Sequence, residues 1–151
     1  MVGKLRDGRA LRTAAVASAL IGLLGAAVPV AAATPTVQAG LAITPTTTTA
    51  GTGVRVVATA TNISSRTLQA SHGVDNPAGI AVSGVSGTGG CHPRNLTHLV
   101  YCGVQSLAPG ASATITFTAT AKAAGSYSFR SYARETYQVN DTFAYLTVTV
   151  R

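Results

Sequence analysis

Residues Ser112–Ala121 read SATITFTATA, and their alternation decides the fold. Ala113, Ile115, Phe117, Ala119 and Ala121 fall on one side of an extended chain, while Ser112, Thr114, Thr116, Thr118 and Thr120 fall on the other. A helix would scatter those threonines around its circumference, where β-branched side chains lose rotamer freedom. The run predicts a strand with one buried face and one wet face, as in an antiparallel sheet.

The same period of two recurs outward from this stretch. Residues 54–61 place Val54, Val56, Ala58 and Ala60 on one face, and residues 144–150 do the same with Ala144, Leu146, Val148 and Val150. Residues 126–137 carry Tyr127 and Phe129 on one side and Arg130, Tyr132 and Arg134 on the other. Shorter candidates are 41–44, 66–71, 80–85 and 99–104. Glycine- and proline-bearing turns separate them, at residues 50–53, 76–79, 84–90, 108–110 and 124–125. Beyond residue 33 no segment has a helical pattern. Seven or eight short strands at this spacing predict an all-β, immunoglobulin-like Greek-key β-sandwich. Its expected large core residues are Leu41, Ile43, Ile80, Leu99, Ile115, Phe117, Phe129 and Leu146. The rest of the core is alanine, valine and glycine, so additional fastening is expected.

The 151 residues suffice for one domain. Charged residues are only 10% of the chain, well below the usual quarter, and tryptophan is absent. The formal net charge of +7 divides between two regions. Lys4, Arg6, Arg9 and Arg12 against Asp7 place +3 at the start of the chain. Arg55, Arg66, Arg94, Lys122, Arg130, Arg134 and Arg151 against Asp75, Glu135 and Asp141 leave +4 spread along the rest. Nucleic-acid binding calls for a basic stripe interleaved with stacking aromatics, and no such stripe is visible in the sequence.

The basic first twelve residues lead into TAAVASALIGLLGAAV at 13–28, then Pro29 and the small residues Ala31, Ala32 and Ala33. This is the layout of a secretory signal, with its apolar stretch as a helix and cleavage expected after Ala33. Val37-Gln38-Ala39 is a second small-residue site, and a retained anchor is the competing reading. A bilayer span needs about 20 apolar residues, a length reached here only by counting through Pro29. The expected organisation is a signal peptide at 1–33, a flexible leader at 34–40 and the sandwich domain at 41–151, with no membrane span after cleavage.

Cys91 and Cys102 are the only cysteines. In an exported chain they predict one disulfide, removing roughly 3 kcal/mol of unfolded-chain entropy on the loop-closure model. His92 and His98 lie in the same stretch, so a four-ligand zinc site with the two cysteines is the alternative. Zinc accepts such donors, but adjacent ligands at 91 and 92 fit poorly, and the expectation is no metal and no cofactor.

Catalysis has little to build on. His72 near Asp75 reads as a solvated turn, and Asp75, Glu135 and Asp141 are isolated in sequence. Asn62, Asn95 and Asn140 head Asn-x-Ser/Thr sequons, which a threonine-rich chain produces by chance. The outward residues Arg130, Tyr132, Arg134 and Tyr145 form the candidate binding surface, with cross-strand stabilisation as their structural alternative.

Several stretches resemble the DUF11 family of bacterial immunoglobulin-like domains. These are SLAPGASATI at 106–115, Asn140-Asp141-Thr142 followed by the strand at 146–150, and the DNPAGI turn at 75–80. Cys91 with Cys102 is similar to the family's cysteine hairpin. The resemblance covers about residues 41–150. Thr61-Asn62-Ile63-Ser64 departs from the family's T-N-x-G turn, and a single copy cannot be the spacer that tandem arrays form. The resemblance implies a sandwich in surface or wall-associated proteins and brings no shared catalytic residues. The expected function is therefore a non-enzymatic, secreted or surface-associated structural or binding module. Its candidate partners are a cell-wall polymer or another surface protein, and adhesion or carbohydrate recognition is the first alternative. A small secreted enzyme or metal protein is the remaining alternative.

Overall fold

The computed structural model describes residues 34–94, 98–138 and 140–151. The signal-peptide reading of residues 1–33 and the Asn95 sequon lie outside the described residues. Ten strands follow one another: β1 (Val37–Thr44), β2 (Thr47–Thr48), β3 (Gly53–Asn62), β4 (Leu68–Asp75), β5 (Ile80–Gly87), β6 (Cys91–Arg94), β7 (Leu99–Leu107), β8 (Ser112–Ala121), β9 (Gly125–Glu135) and β10 (Thr142–Val150). Eight of them match the stretches read from the sequence. The short β2 and β6 are additional. Among the described residues no helix is long and apolar enough to cross a membrane.

The strands form a sandwich of two sheets, one ordered β1-β3-β8-β5 and the other β2-β10-β9-β4-β7-β6. Register explains why the faces close on each other. In the first sheet Val54, Val56, Ala58 and Ala60 pair with Ala119, Phe117, Ile115 and Ala113, and all eight are buried. Each large residue of the layer meets a smaller one across the strands, which lets side chains of unequal size pack side by side. The second sheet answers with Val74, Val100, Cys102, Phe129, Val148 and Val150. Leu41, Ile80 and Leu146 pack at the margin of this cluster. A smaller cluster at the other end is built from Val37, Ala60, Leu68, Ala70, Leu107, Ala113 and Ala133.

The structure corrects three expectations. Residues 37–40 are not leader: β1 starts at Val37, which pairs with Asn62 and is buried. An apolar side chain beside an unpaired edge of β3 has both burial and hydrogen bonds to gain. Cleavage after Ala39 would cut β1, whereas cleavage after Ala33 leaves it whole. Leu99 is only half-buried. The phase of β7 is set by Val100 and Cys102 facing the core, which turns Leu99 outward.

His72 is the third correction. It lies on β4 with 1% exposure, not on a solvated turn, directly across from Cys102. Both ring nitrogens lack a partner in hydrogen-bond geometry. Burial disfavours the imidazolium and lowers the pKa, an effect only partly offset by the Thr114 main chain. Its sequence neighbour Asp75 is instead drawn to Arg130, whose Nε donates to the carboxylate at 2.7 Å.

Polar fasteners close the alanine-rich end. The buried Asn62 side chain donates Nδ2–H to the carbonyls of Arg66 (2.8 Å) and Leu107 (2.9 Å). Its Oδ1 accepts from the Ser64 amide (2.9 Å) and hydroxyl (2.7 Å), so Asn62 ties the 61–66 turn to the end of β7. Nearby, Arg66 grips both Glu135 carboxylate oxygens at 2.6 and 2.9 Å, and the Thr36 hydroxyl donates at 2.7 Å. The Thr36 hydrogen bond and then Arg66 hold the Glu135 pKa below its ordinary value.

Asn62→Ala removes the side-chain donor from the buried Leu107 carbonyl, while the Arg66 carbonyl keeps the Ser64 hydroxyl at 3.1 Å, and the expected loss is on the order of 2 kcal/mol in urea unfolding. A loss under about 1 kcal/mol would show that the turn holds without it. The buried His72 makes stability pH-dependent. The unfolded chain takes up a proton near the ordinary histidine value of 6.5 that the folded chain refuses. Stability is therefore complete above that pH and falls as the pH drops through the lower folded value. Glu135 acts only below the ordinary carboxylate value of 4.5. His72→Leu should flatten the decline between these two values, and an unchanged slope in this variant would assign the decline elsewhere.

Candidate functional site

Four of the residues singled out in the sequence, Arg130, Tyr132, Arg134 and Tyr145, lie on the outer face of the six-stranded sheet. The phase of β9 places Phe129, Ser131 and Ala133 inward and the two arginines and Tyr132 outward. In β10 the same alternation turns Phe143 and Tyr145 outward, with exposures of 44% and 68%.

Strand order assembles these residues into rows across the sheet. His92, Tyr101, Gly73, Tyr132 and Phe143 are successive cross-strand partners on β6, β7, β4, β9 and β10. One step along the strands, Arg94, Leu99, Asp75, Arg130 and Tyr145 form a second row by the same pairings. On the other flank Ser71 pairs with Arg134, and the Arg134 Nε donates to the Ser71 hydroxyl at 3.3 Å. An aromatic row thus runs between two rows that carry arginines.

Gly73 shapes the centre of the aromatic row. A Cβ at this position would lie 2.6 Å from Tyr132 Cε1 and 2.7 Å from its hydroxyl, far inside van der Waals contact. The Tyr132 ring therefore lies across the glycine, covering backbone that has no side chain of its own. Burial raises the Tyr132 pKa above the ordinary phenol value. Tyr101 is held from both sides. His92 meets it edge-on with ring centroids 4.2 Å apart. The Arg94 guanidinium lies 4.4 Å from its centroid and donates to its hydroxyl at 3.2 Å. Arg130 lies 5.2 Å from the Phe143 ring while bonded to Asp75. Such cation–π contacts contribute about 0.5–1 kcal/mol each at exposed sites and fix ring orientation.

A groove of about 660 Å³ opens on this face, lined among others by Ser71, Arg94, Tyr101, Tyr132, Arg134 and Tyr137. Tyr137 stands at its edge, 98% exposed and with a left-handed φ of 71°. A shallower depression adjoins it at Asp75, Arg130, Tyr132, Arg134, Asp141 and Phe143.

Cys91 and Cys102 face each other across β6 and β7 and form a disulfide. It fastens a four-residue edge strand that carries His92 and Arg94 onto the face. With both sulfurs joined, neither is a thiolate ligand for zinc. His92 turns to Tyr101, while His98 lines a separate hollow with Asn76, Ile80 and Pro93. Among the described residues no group of three or more His, Cys, Asp or Glu is arranged to hold a metal ion. Of the sequons, Asn62 is buried and could accept no glycan in the folded chain. Sequence reasoning passed over Tyr101, Phe143, Arg94 and Gly73. Alternation could have turned the first two outward, but their cross-strand neighbours are not written in the chain.

No protein-family model and no curated protein sequence matches the chain. Solved structures do resemble it. BslA, a bacterial hydrophobin, superposes with a TM-score of 0.54 and 17% identity, over 77% of this chain and 95% of that one. The N-terminal domain of the Streptococcus gordonii adhesin Sgo0707 gives 0.53 and 12% identity, over 76% of this chain and 32% of that one. The CARDB domain of the PF1109 protein from Pyrococcus furiosus gives 0.50 and 17% identity, over 77% and 93%. At these identities the likeness is one of fold: the chain is an immunoglobulin-like β-sandwich, and the DUF11 family itself is not shown.

Proposed function

We propose that this protein is a non-enzymatic binding module that works outside the cytoplasm or at the cell surface, with the outer face of the six-stranded sheet as its recognition surface. One observation carries the reading: Tyr132 lies across Gly73 between Tyr101 and Phe143, with arginines on both flanks. Tyrosine and arginine dominate binding hot spots because they offer large contact area and charge with few freely rotating bonds to immobilise. Three of the polar side chains that chemistry could use are engaged in the fold. His72 is sealed in the core, Asp75 is bonded to Arg130, and Glu135 is bonded to Arg66 and Thr36. The disulfide and the signal-like first 33 residues support an oxidising, extracytoplasmic setting, and the resemblance to DUF11 domains favours the bacterial cell surface. A cell-wall polymer or another surface protein is the partner class this reading takes.

The purified protein should co-sediment with isolated bacterial cell walls or bind a cell-surface protein extract, and should retain binding at about 1 M salt, where the screening length is about 3 Å. Tyr132→Ala should weaken binding roughly tenfold or more, the effect of losing a central aromatic contact, while leaving the unfolding midpoint near that of the parent. Binding that disappears at about 0.2 M salt and ignores Tyr132→Ala would be non-specific attraction of a basic domain to anionic polymer. No binding to either preparation would overturn the reading.

A further inference from the structure

The stretch from the end of β1 to the start of β3 reads TPTTTTAGT at residues 44–52, six threonines in nine residues beside one proline. Serine- and threonine-rich runs that contain proline are the compositional mark of O-glycosylated segments. The chain is rich in threonine throughout, so composition does not single out this stretch. What each hydroxyl is bonded to does.

Elsewhere the threonine hydroxyls work in the fold. Thr36 donates to Glu135, and Thr142 donates to the Val37 and Ala133 carbonyls. Thr61 and Thr147 share hydrogen bonds with Ser112 and Ser128. Thr114, Thr116, Thr118 and Thr120 stand half-buried on β8, where a bulky addition would press on their cross-strand neighbours on β3. In the 44–52 stretch, by contrast, Thr44, Thr46, Thr47, Thr49 and Thr52 are exposed. Among the described residues the hydroxyls of Thr44, Thr46 and Thr47 make no hydrogen bond, and Thr49 and Thr52 bond only to each other, at 3.0 Å.

The backbone beneath these side chains is nevertheless fixed. The carbonyls of Thr46 and Thr48 accept from the Thr149 and Arg151 amides at 2.9 Å each, and the Gly51 amide donates to the Ala121 carbonyl at 2.8 Å. The hydroxyls of Thr46 and Thr47 are therefore displayed from an anchored main chain, and a group added to them breaks no bond of the fold. Position supplies a second reason. β2 is the last strand at one side of the six-stranded sheet, and an open edge is a template for pairing with another chain. Charged side chains commonly guard such edges, yet residues 13–54 contain none. A hydrated sugar on this segment would cover the edge instead.

Resting on the extracytoplasmic setting argued above, we propose that the 44–52 segment is a site of O-glycosylation, with Thr46, Thr47 and Thr49 as its principal acceptors. The donor class is a sugar activated as a lipid-linked phosphate ester, used by a glycosyltransferase of the producing cell. The threonine Oγ bonds to the anomeric carbon of the sugar, and the bond from that carbon to the phosphate oxygen breaks. The lipid phosphate leaves with the electron pair, and the hydroxyl proton passes to a base of the transferase. Nothing is oxidised or reduced.

The test compares the full chain exported by the bacterium that makes it with the same chain from a host that lacks protein O-glycosylation. Intact mass spectrometry should show the native form heavier by a whole number of sugar residues, an increment that mild alkali removes by β-elimination. With no Lys or Arg in residues 13–54, trypsin releases the segment on one peptide ending at Arg55. Electron-transfer fragmentation of that peptide should place the sugars on Thr46, Thr47 and Thr49. Replacing these three by alanine should abolish most of the increment, replacing them by serine should preserve it, and Thr114→Ala with Thr118→Ala should leave it unchanged. Unfolding midpoints of the two forms should agree closely, because the modified hydroxyls carry little of the fold. An exported chain of unmodified mass, sugar found only outside residues 44–52, or an alanine variant that keeps the full increment would each overturn the inference. If the exported chain is unmodified, the glycosylation inference falls and the extracytoplasmic reading stands. If the chain stays in the cytoplasm with residues 1–33 attached, both fall.

Discussion

The pairing of β3 with β8 is the constraint on which the sandwich rests. Val56 opposite Phe117 and Ala58 opposite Ile115 form one inner layer, and the six-stranded sheet must place its own apolar residues against it. Because most of those residues are alanine or valine, each buries little area. At about 25 cal/mol per Å² of apolar surface removed from water, small side chains supply only a modest driving force. The fold compensates at its margins. Asn62 satisfies two carbonyls and holds a turn, Arg66 and Thr36 clasp Glu135, and the disulfide secures β6. Of these, the Asn62–Leu107, Arg66–Glu135 and Thr36–Glu135 bonds join segments far apart in sequence, while the disulfide closes a short hairpin.

The outer face is a consequence of the same arrangement. Once Phe129, Ser131 and Ala133 point inward, Arg130, Tyr132 and Arg134 have no other direction available. Gly73 on the neighbouring strand then gives Tyr132 a place to lie. The phenol and the guanidiniums around it are held by contacts within the face, at Tyr101, Phe143, Asp75 and Ser71. A surface ordered in this way loses little side-chain freedom when a ligand arrives, which is the physical meaning of preorganisation.

Much of the fold was legible because strand periodicity is local. Ser112–Ala121 declares its inner face within ten residues, and the same rule oriented β3, β9 and β10. It failed where the local pattern was short or mixed. The run Val37-Gln38-Ala39-Gly40 shows no alternation strong enough to extend β1, and its pairing with β3 comes from the partner strand. His72 looked polar and therefore wet, yet it belongs to an inward row with Cys102 and Ala133. Leu99 looked like core, yet its phase is fixed by Cys102 three residues on.

By itself the sequence determined the β class, the inward and outward faces of the long strands, the pairing available to two lone cysteines, and the outward tyrosine and arginines of β9. Each of these follows from residues within a few positions of one another, or from there being only one choice. Tertiary structure alone decided that β4, β7 and β6 lie beside β9 in that order, bringing Gly73, Tyr101, His92 and Arg94 to Tyr132. Cross-strand neighbours come from distant parts of the chain, and sheet order is set by burying both inner faces at once. A face made of such neighbours exists only after the sheets have closed.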